Sequence, residues 1–472
     1  MDLYLKIATQ IQNFFKYESR DLPLEMAGKV VRVDVSIPQL EPLTWLARQT
    51  ADVKTYWCDR QGQFTVAGIG SIDTITGHVP IDYPIIFGQL RQKLSPLFPH
   101  VRYYGGIGFD RDLWLDPSWQ LFGNYRFVMP RFEIWTDGTE TFFACNFIAN
   151  RLSPQWLQAL DRILVELRQL DFTQQEVAID PPLKISRTDQ PNWNEWQHNV
   201  NLALAKFSTL QLEKIVLARR STLTFSTDLQ PQLLLLLLQA QNQSSYHFCF
   251  QIDAHTAFIG TSPERLYARQ NRVLKTEAIA GTRPRSHLAD IDRQLGADLH
   301  DSLKDLHEHQ LVVNNLRTIL TELCHTVEID PAATILKLHK VQHLYTQCLG
   351  TLTADLTDAE ILPKLHPTPA VGGFPRTQAL ALIRELEPFE RGWYAAPVGW
   401  VGSDSVEFAV AIRSGLVDRD RLLLFAGAGI VAGSQAAAEW AEIESKIRHF
   451  TDLFAAPLEV TAIRAHRSPL EQ

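Results

Sequence analysis

The spacing of hydrophobic and polar positions changes several times along the chain. Residues 28–150 alternate apolar and polar segments between turn signals, a pattern that is typical of β-strands. At the N-terminus and again at residues 153–170, apolar residues recur three and four positions apart, which predicts amphipathic helices. A polar stretch with prolines follows at residues 180–192, and we predict a subdomain boundary at about residue 185.

Beyond this stretch, the same spacing rules predict strands that arrive in runs. The predicted strands are 214–224, 246–252, 256–261, 266–270, 273–279, 406–417 and 421–426. The predicted helices are 192–208, 231–240, 290–324, 355–362 (stopped by Pro363) and 435–454. Because strands and helices do not alternate strictly, the sequence favours an antiparallel α+β fold over a doubly wound sheet.

Composition and charge exclude several classes of protein. The net charge is −8, and no stretch interleaves basic residues with aromatic ones, so we expect no nucleic-acid partner. The leucine run at residues 233–238 is far shorter than the about 20 apolar residues that span a bilayer. The N-terminus lacks the apolar core of a signal peptide, and the five cysteines have no disulfide or metal-ligand spacing. We therefore expect a cytoplasmic protein with reduced thiols and no membrane partner.

Two separate segments carry a lysine and a carboxylate suited to acid–base chemistry. On the predicted strand 214–224, Lys214 shares a face with small apolar residues, and such desolvation lowers the pKa of a lysine. The alternative is a surface lysine that keeps its ammonium group in water. Glu264 follows a strand and a proline, where burial would favour a protonated general acid. The alternative for Glu264 is a turn glutamate paired with Arg265.

Further carboxylates lie on two predicted helices. Glu308 is flanked by two histidines, but neighbouring helix positions point about 100° apart, so the three cannot converge on one ion. Glu439, Glu442 and Lys446 share one face of the last helix, which is also the pattern of a solvated ion-pair face. If that helix packs beside Glu308, two carboxylates can share a Mg²⁺ ion.

A glycine-rich stretch is the candidate anion site. Phe425 to Ile430 reads FAGAGI, and we expect it to end a strand and expose backbone N–H groups to a carboxylate. Arg413 lies on the preceding predicted strand, on one face with Ala409 and Ala411, and offers a bidentate guanidinium.

Taken together, these segments resemble the chorismate-utilising enzymes, which include anthranilate, aminodeoxychorismate, salicylate and isochorismate synthases. The resemblance covers roughly residues 195–455 and rests on an ordered set of motifs: LEKIVLAR, SPERL, EAIAGTRPR, HEHQLVV, VQHL, HPTPAVGG, PVGW, FAVAIRS, AGAGIV and EWAEIESK. It implies a large antiparallel β-sandwich core with flanking helices. It also implies a variable N-terminal subdomain (1–185) that adds strands to the same body, a catalytic region (186–460) and a tail (461–472).

The resemblance also implies roles for individual residues. Lys214 would activate water for attack at C2 of chorismate, and Glu264 would protonate the departing C4 hydroxyl. Glu308 and Glu442, with Glu439 close by, match the ligands of a Mg²⁺ cofactor. The positions that match substrate contacts are Gly281, Thr282, His343, Ala370, Tyr394, Arg413, Gly427, Gly429 and Lys446. The family implies no obligatory protein partner for this reaction.

Four positions narrow the choice within the family. Ammonia-using members have glutamine where this chain has Lys214, and aminodeoxychorismate synthases often carry a lysine nucleophile where this chain has Ala280. Ala370 resembles the isochorismate synthase version of its segment. Ala278, which replaces a common proline, resembles the menaquinone or phylloquinone type of isochorismate synthase. The alternatives are salicylate synthase, which eliminates pyruvate as well, a siderophore-pathway isochorismate synthase, and a chorismate-binding subunit without this chemistry.

Overall fold

The computed structural model describes residues 3–110, 116–150, 156–173, 182–338, 341–353 and 356–454. The helices in these ranges are α1 (Leu3–Lys16), α2 (Pro42–Arg48), α3 (Tyr83–Lys93), α4 (Trp156–Leu167), α5 (Trp193–Leu210), α6 (Pro231–Gln241), α7 (Ala289–His300), α8 (Leu303–Leu323), α9 (Asp358–Leu365), α10 (Arg376–Leu386) and α11 (Ala436–Thr451). The predicted tail at residues 461–472 lies outside the described residues.

The strands begin in the N-terminal third and continue almost to the last helix. They are β1 (Val30–Ile37), β2 (Lys54–Cys58), β3 (Thr65–Ile69), β4 (Asp73–Gly77), β5 (Tyr103–Ile107), β6 (Tyr125–Met129), β7 (Phe132–Thr136), β8 (Thr141–Ile148), β9 (Lys184–Gln190), β10 (Lys214–Phe225), β11 (Tyr246–Gln251), β12 (Thr256–Ser262), β13 (Arg265–Gln270), β14 (Val273–Pro284), β15 (Cys324–Ile329), β16 (Thr334–Lys337), β17 (Val341–Leu352), β18 (Gly373–Phe374), β19 (Pro397–Val401), β20 (Ser405–Val410), β21 (Ser414–Asp418) and β22 (Arg421–Ile430).

The strands form two large sheets, and every strand pair within the described residues is antiparallel. One sheet has the order β1-β8-β7-β3-β2-β11-β12-β21-β22-β10-β18, with β9 also paired to β10. The other has the order β15-β17-β14-β13-β20-β19-β5-β6-β4, with β16 paired to β17. Strands of the N-terminal third take part in both sheets, so the predicted α+β class with an antiparallel sandwich is confirmed. The proposed boundary at residue 185 falls within β9 and stays a prediction.

Two hydrophobic clusters hold these layers together. One contains side chains from both sheets, among them Trp57, Phe258 and Phe408, and it fills the sandwich. The other joins the first sheet to α1, α2, α5, α6 and α11 through side chains such as Ile215 and Ile443. Since burial of apolar surface is the main stabilising contribution in folding, helices and sheets are held as one body.

The leucine run at residues 233–238 is part of α6, and Leu234, Leu235 and Leu238 are buried there, as the sequence predicts. No helix in the described ranges combines the length and the apolar character that crossing a membrane requires. All five cysteines are buried free thiols.

Several predicted elements are wrong in their extent; the strand predicted at 273–279, for example, continues to Pro284 as β14. The predicted long helix 290–324 is two helices, because Ser302 accepts a hydrogen bond from the Asp305 N–H and starts α8 anew. Helix α9 begins with a capping box formed by Thr357 and Glu360 and continues past Pro363 to Leu365, so the predicted stop at Pro363 is wrong. Its predicted first residue lies outside the described residues.

The predicted strand 406–417 is likewise two strands, and they belong to different sheets. Strand β20 pairs with β13 and β19, whereas β21 pairs with β12 and β22. Arg413 lies between them with φ of 51°, in the left-handed region, where the chain passes from one sheet to the other. The expectation that Arg413 shares a strand face with Ala409 and Ala411 is therefore wrong.

Candidate active site

Lys214 is the first residue of β10, and its side chain is buried against α8. The ammonium Nζ donates a hydrogen bond of 2.6 Å to Oε1 of Glu308, and only 1% of the Lys214 side chain is exposed. A surface role for this lysine is excluded by that burial. Burial alone would raise the pKa of Glu308, but Lys214, together with the more distant Lys446 and Lys304, lowers that pKa below its usual value.

Strand β22 lies beside β10, and the strand face shared by Gly427 and Gly429 has no side chains at these two positions. We call this face the floor of the site. Gly429 pairs with Val216, and a Cβ at Gly429 would lie 2.9 Å from Cε of Lys214 and 3.5 Å from Oε1 of Glu308. A side chain at position 429 would therefore displace the end of the Lys214 side chain from its present position. The glycine-rich stretch ends its strand as predicted, but the strand is longer than the predicted 421–426, because β22 continues to Ile430 and Ala426 to Ile430 pair with β10.

Helix α11 brings a second lysine–carboxylate pair to this floor. Nζ of Lys446 lies 2.6 Å from Oε1 of Glu442 and donates a second hydrogen bond of 2.9 Å to the Gly427 carbonyl. Burial would raise the pKa of Glu442, but Lys446 lowers it below its usual value, while Glu308 opposes this effect through space. The two helices thus place Glu308 and Glu442 within electrostatic range of each other, as the Mg²⁺ hypothesis requires.

The donor set fits a magnesium ion that is shared with a substrate. Within the described ranges, no group of three or more His, Cys, Asp or Glu side chains is arranged to hold a metal. Mg²⁺, however, is usually held by one or two carboxylates together with waters and substrate oxygens. The side chains of Glu308 and Glu442 are 22% and 44% exposed, so both can face such ligands. Glu439 is buried one turn earlier, and burial together with the nearby Glu442 raises its pKa.

Glu264 follows β12 and is held differently from the other carboxylates. Its residue is only 6% exposed, and its backbone is fixed by hydrogen bonds from its N–H to Ser262 and from the Val410 N–H to its carbonyl. Burial and the nearby Glu277 raise the pKa of Glu264 to about 8, although Lys214 and Lys446 lower it through space. Arg265 pairs with Glu407 and Glu277 instead, so the predicted alternative of a Glu264–Arg265 turn pair is wrong.

His343 on β17 presents one free ring nitrogen. Its Nδ1 lies 3.0 Å from the carbonyl oxygen of Gly281 and 3.1 Å from the Thr282 hydroxyl. Burial and the nearby Arg413 lower the pKa of His343 to about 4, so the ring is neutral. Because a carbonyl can only accept, the proton lies on Nδ1. Nε2 is buried and has no protein partner within the described part of the chain, so it is available to accept from a substrate hydroxyl.

Arg413 approaches the same group of side chains from the sheet crossing. Burial lowers its pKa, and the Glu442 carboxylate and Tyr394 act on it through space in the opposite direction. Tyr394 stacks on Phe425, and a Cβ at Gly427 would lie 3.2 Å from its hydroxyl. The structure therefore brings Arg413, Tyr394, Gly427 and His343 to the neighbourhood of Glu442 and Lys446.

Ala370 is connected to the site through the chain segment that contains it. It lies on the turn before β18, and β18 pairs with Lys214 and Ile215 at the start of β10. The Gly372 carbonyl accepts from the Val216 N–H at 3.1 Å, which fixes this segment along the strand that carries Lys214.

Sequence reasoning missed a buried ion pair that supports this arrangement. Arg391 pairs with Glu387 and donates to the carbonyls of Val371 and Val216, both at 2.8 Å. It thereby ties the segment of Ala370 to β10. The sequence has no helical signal for this pair, because Glu387 and Arg391 lie beyond the end of α10 at Leu386. The two backbone contacts depend on the tertiary fold.

Comparison with known proteins shows similarity over nearly the whole chain. The family described as "Chorismate binding enzyme" matches residues 21–455. The chloroplastic isochorismate synthase of Catharanthus roseus is 35% identical over 86% of this chain and 70% of its own length. The isochorismate synthase MenF of Escherichia coli is 32% identical over 93% of this chain and 97% of its own length. The solved structure of MenF, the menaquinone-specific isochorismate synthase from Escherichia coli, superposes with a TM-score of 0.83 at 28% identity and covers 95% of this chain and 100% of that one.

Proposed function

We propose that this chain, which belongs to the family of chorismate binding enzymes, is a Mg²⁺-dependent isochorismate synthase. The isochorismate synthases of Catharanthus roseus and Escherichia coli match it over 86% and 93% of its length. The observation that carries the proposal is the contrast between two groups in electrostatic range of each other. Lys214 is a buried lysine whose ammonium lies against Glu308, and Glu264 is a buried carboxyl group whose pKa is raised to about 8. A base and a protonated acid are what a hydroxyl exchange needs.

In the proposed reaction, water adds to C2 of chorismate as the C4 hydroxyl leaves and the ring double bonds shift. Lys214 first leaves Glu308 and releases its proton to solvent. As the free amine it then accepts a proton from the attacking water, so that the new C2–O bond forms without a free hydroxide. Glu264 donates its proton to the departing C4 oxygen, which leaves as water. The reaction is therefore balanced without an external reductant or oxidant, and the proton gained by Lys214 returns to Glu264 through solvent after turnover.

Glu308 and Glu442 are the proposed Mg²⁺ ligands, with Glu439 one turn away. When bound, the ion would neutralise these carboxylates and supply positive charge for the ring carboxylate of chorismate. This role requires Lys214 and Lys446 to give up their contacts with Glu308 and Glu442, which are 2.6 Å long in each pair.

The remaining predicted residues would bind and orient the substrate. Arg413 and Lys446 supply positive charge for carboxylates, as suits a dianionic ligand. The Nε2 lone pair of His343 would accept from a substrate hydroxyl, and the Gly281–Thr282 segment holds that ring in place. Gly427 and Gly429 keep the floor free of side chains, and Tyr394 covers one end of it.

For the pathway, we propose that the product serves quinone synthesis, of menaquinone or phylloquinone. Support comes from the similarity to the menaquinone-specific enzyme, which extends over 95% of this chain. Ala278, in place of the common proline, points to the same type.

The test is incubation of the purified protein with chorismate, with Mg²⁺ and with a chelator. Chromatography resolves the products while a lactate dehydrogenase couple reports pyruvate. We expect isochorismate without pyruvate, and only when Mg²⁺ is present. Salicylate with stoichiometric pyruvate would contradict the proposal in favour of salicylate synthase. Aminated products that form only with added ammonium, or no turnover at all, would contradict it as well.

A further inference from the structure

The two residues that flank Glu264 are both held by one buried ion pair. Nη1 of Arg60 donates a hydrogen bond of 2.9 Å to the Pro263 carbonyl. On the other side, the Arg265 N–H donates 2.9 Å to Oε1 of Glu277. Arg60 and Glu277 in turn form a bidentate pair, with distances of 2.6 and 2.9 Å. The peptide units before and after Glu264 are therefore anchored to the same pair of charges.

This ion pair joins the two halves of the chain. Arg60 lies on the loop between β2 and β3, and Asp59 shapes that loop by accepting from the N–H groups of Gln63 and Phe64. Glu277 lies on β14, directly before the segment of Gly281 and Thr282. Arg60 and Glu277 are 8% and 4% exposed, so water does not compete strongly for their hydrogen bonds.

The surroundings of the pair favour a fixed geometry. The guanidinium of Arg60 lies 6.0 Å from the ring centre of Tyr246 and 5.9 Å from that of Tyr345. A planar guanidinium that makes two parallel hydrogen bonds permits little rotation of its partner carboxylate. Arg265 adds a weaker contact to Glu277 at 3.8 Å.

We propose that Arg60 and Glu277 form a clamp that orients Glu264 and keeps it a proton donor. The proposal rests on the proposed role of Glu264 as the general acid. Both clamp residues act through Glu264 and not on the substrate, so they are positioning residues. The backbone contacts of the clamp fix the direction of the Glu264 side chain, and its Glu277 carboxylate disfavours a second negative charge beside it.

The charged groups that act on Glu264 come from three elements. Glu277 on β14 adds to the effect of burial and raises the pKa of Glu264, whereas Lys214 on β10 and Lys446 on α11 lower it. Because Glu277→Gln removes one negative charge and keeps the size of the side chain, this variant separates the charge of the clamp from its packing.

The experiment follows the protonated carboxyl band of Glu264 by infrared spectroscopy over a pH series, with the band assigned from the Glu264→Gln difference spectrum. We expect Glu277→Gln to lose this band at a pH about one unit lower than the wild type does. Turnover of chorismate by Glu277→Gln should then fall about fivefold near pH 8 and stay within about twofold near pH 6, with little change in KM. A purely structural role would lower turnover equally at both pH values.

Glu407→Gln is the matched control. Glu407 is a buried carboxylate of the same neighbourhood, which accepts from Tyr246 at 2.9 Å and pairs with Arg265 at 3.3 Å. In Glu407→Gln, we expect the infrared band of protonated Glu264 to titrate as in the wild type. If Glu277→Gln does not fold, the double variant Arg60→Gln/Glu277→Gln, which leaves no unpaired charge, is measured instead with the same expected shift.

A wild-type titration of Glu264 in the folded Glu277→Gln or double variant would overturn the clamp. So would an equal shift in Glu407→Gln, because the effect would then be unspecific. The infrared titration needs no turnover. If the protein does not convert chorismate but the band shifts as expected, the proposed function fails while the clamp stands.

Discussion

The two sides of the candidate active site shift the pKa values of their glutamates in opposite directions. On the lysine–carboxylate side, formed by Lys214, Glu308, Lys446 and Glu442, the ammonium groups lie 2.6 Å from the carboxylates and keep the pKa values of Glu308 and Glu442 low. On the other side, Lys214 and Lys446 act on Glu264 only through space. Burial and the nearby Glu277 carboxylate raise the pKa of Glu264 to about 8.

The proposed roles of these glutamates therefore depend on their surroundings and not on the residue type. Glutamates with a lysine at contact distance stay negative and suit a cation, whereas a buried glutamate beside another carboxylate keeps its proton and suits an acid. Variants that replace a residue on one side of the site test this contrast.

The largest effect is expected when the acid is removed. Glu264→Gln keeps the size of the side chain but has no proton to donate. We expect turnover of chorismate to fall by about 10²- to 10⁴-fold while chorismate still binds, because general acid catalysis contributes that much. The measurement is kcat from the product assay, together with chorismate binding by calorimetry. Turnover within a few-fold of the wild type would remove Glu264 from the mechanism.

The base on the opposite side is tested by Lys214→Ala. We expect turnover to fall by at least about 10²-fold with chorismate still bound. Lys206→Ala is the matched control, since Lys206 forms an ion pair of 2.5 Å with Glu385 at the surface, and it should keep wild-type turnover. Near-normal turnover of Lys214→Ala would contradict a role for this lysine as the base.

The raised pKa of Glu264 also predicts how stability depends on pH. The folded protein keeps this proton up to about pH 8, whereas the unfolded chain releases it near the ordinary value of 4.5. Between these values the folded state binds more protons, so the free energy of unfolding falls as pH rises. Glu264→Gln abolishes this contribution and should gain about 2–3 kcal/mol relative to the wild type between about pH 5 and pH 7.

Urea unfolding of both proteins at the two pH values measures this gain. Parallel changes in the wild type and in Glu264→Gln would show that Glu264 is already ionised in the folded state.

The smallest expected effect concerns the metal. Glu442→Gln removes one of the two proposed carboxylate ligands and leaves Lys214 and Glu264 in place. We expect the Mg²⁺ concentration for half-maximal activity to rise by at least about tenfold, since Mg²⁺ relies on very few protein carboxylates. Glu444→Gln, on the same helix but paired with Arg187 and Arg219, is the control. An unchanged Mg²⁺ titration of Glu442→Gln would place the ion elsewhere.

Strand and helix periodicity predicted most elements of the fold, because those patterns are local. Periodicity failed where the chain passes from one sheet to the other without a break in the apolar pattern. The residues around Arg413 alternate as one strand would, and only the pairing of β20 and β21 with different sheets shows the break. The extent of β22 was missed for a similar reason, because small residues at its end are compatible with either a turn or a ladder.

Family resemblance supplied the residues of the candidate site, and the sequence favoured a protonated Glu264, but the partners that set the charges of these residues could not be predicted. The Lys214–Glu308 contact joins residues 94 positions apart, and the Arg60–Glu277 pair joins residues 217 positions apart. Neither has a local signal. The opposite pKa shifts of Glu308 and Glu264 depend on these distant partners, so they require the folded structure.

The central claim is that the Lys214 side delivers water and the Glu264 side releases a hydroxyl. It is tested most directly by running the reaction in ¹⁸O-labelled water and analysing isochorismate by mass spectrometry at early conversion, before the reverse reaction exchanges further oxygen. The account predicts one labelled oxygen per isochorismate molecule, located at C2. Unlabelled isochorismate would mean that the original hydroxyl migrates within the substrate, and this would contradict the account.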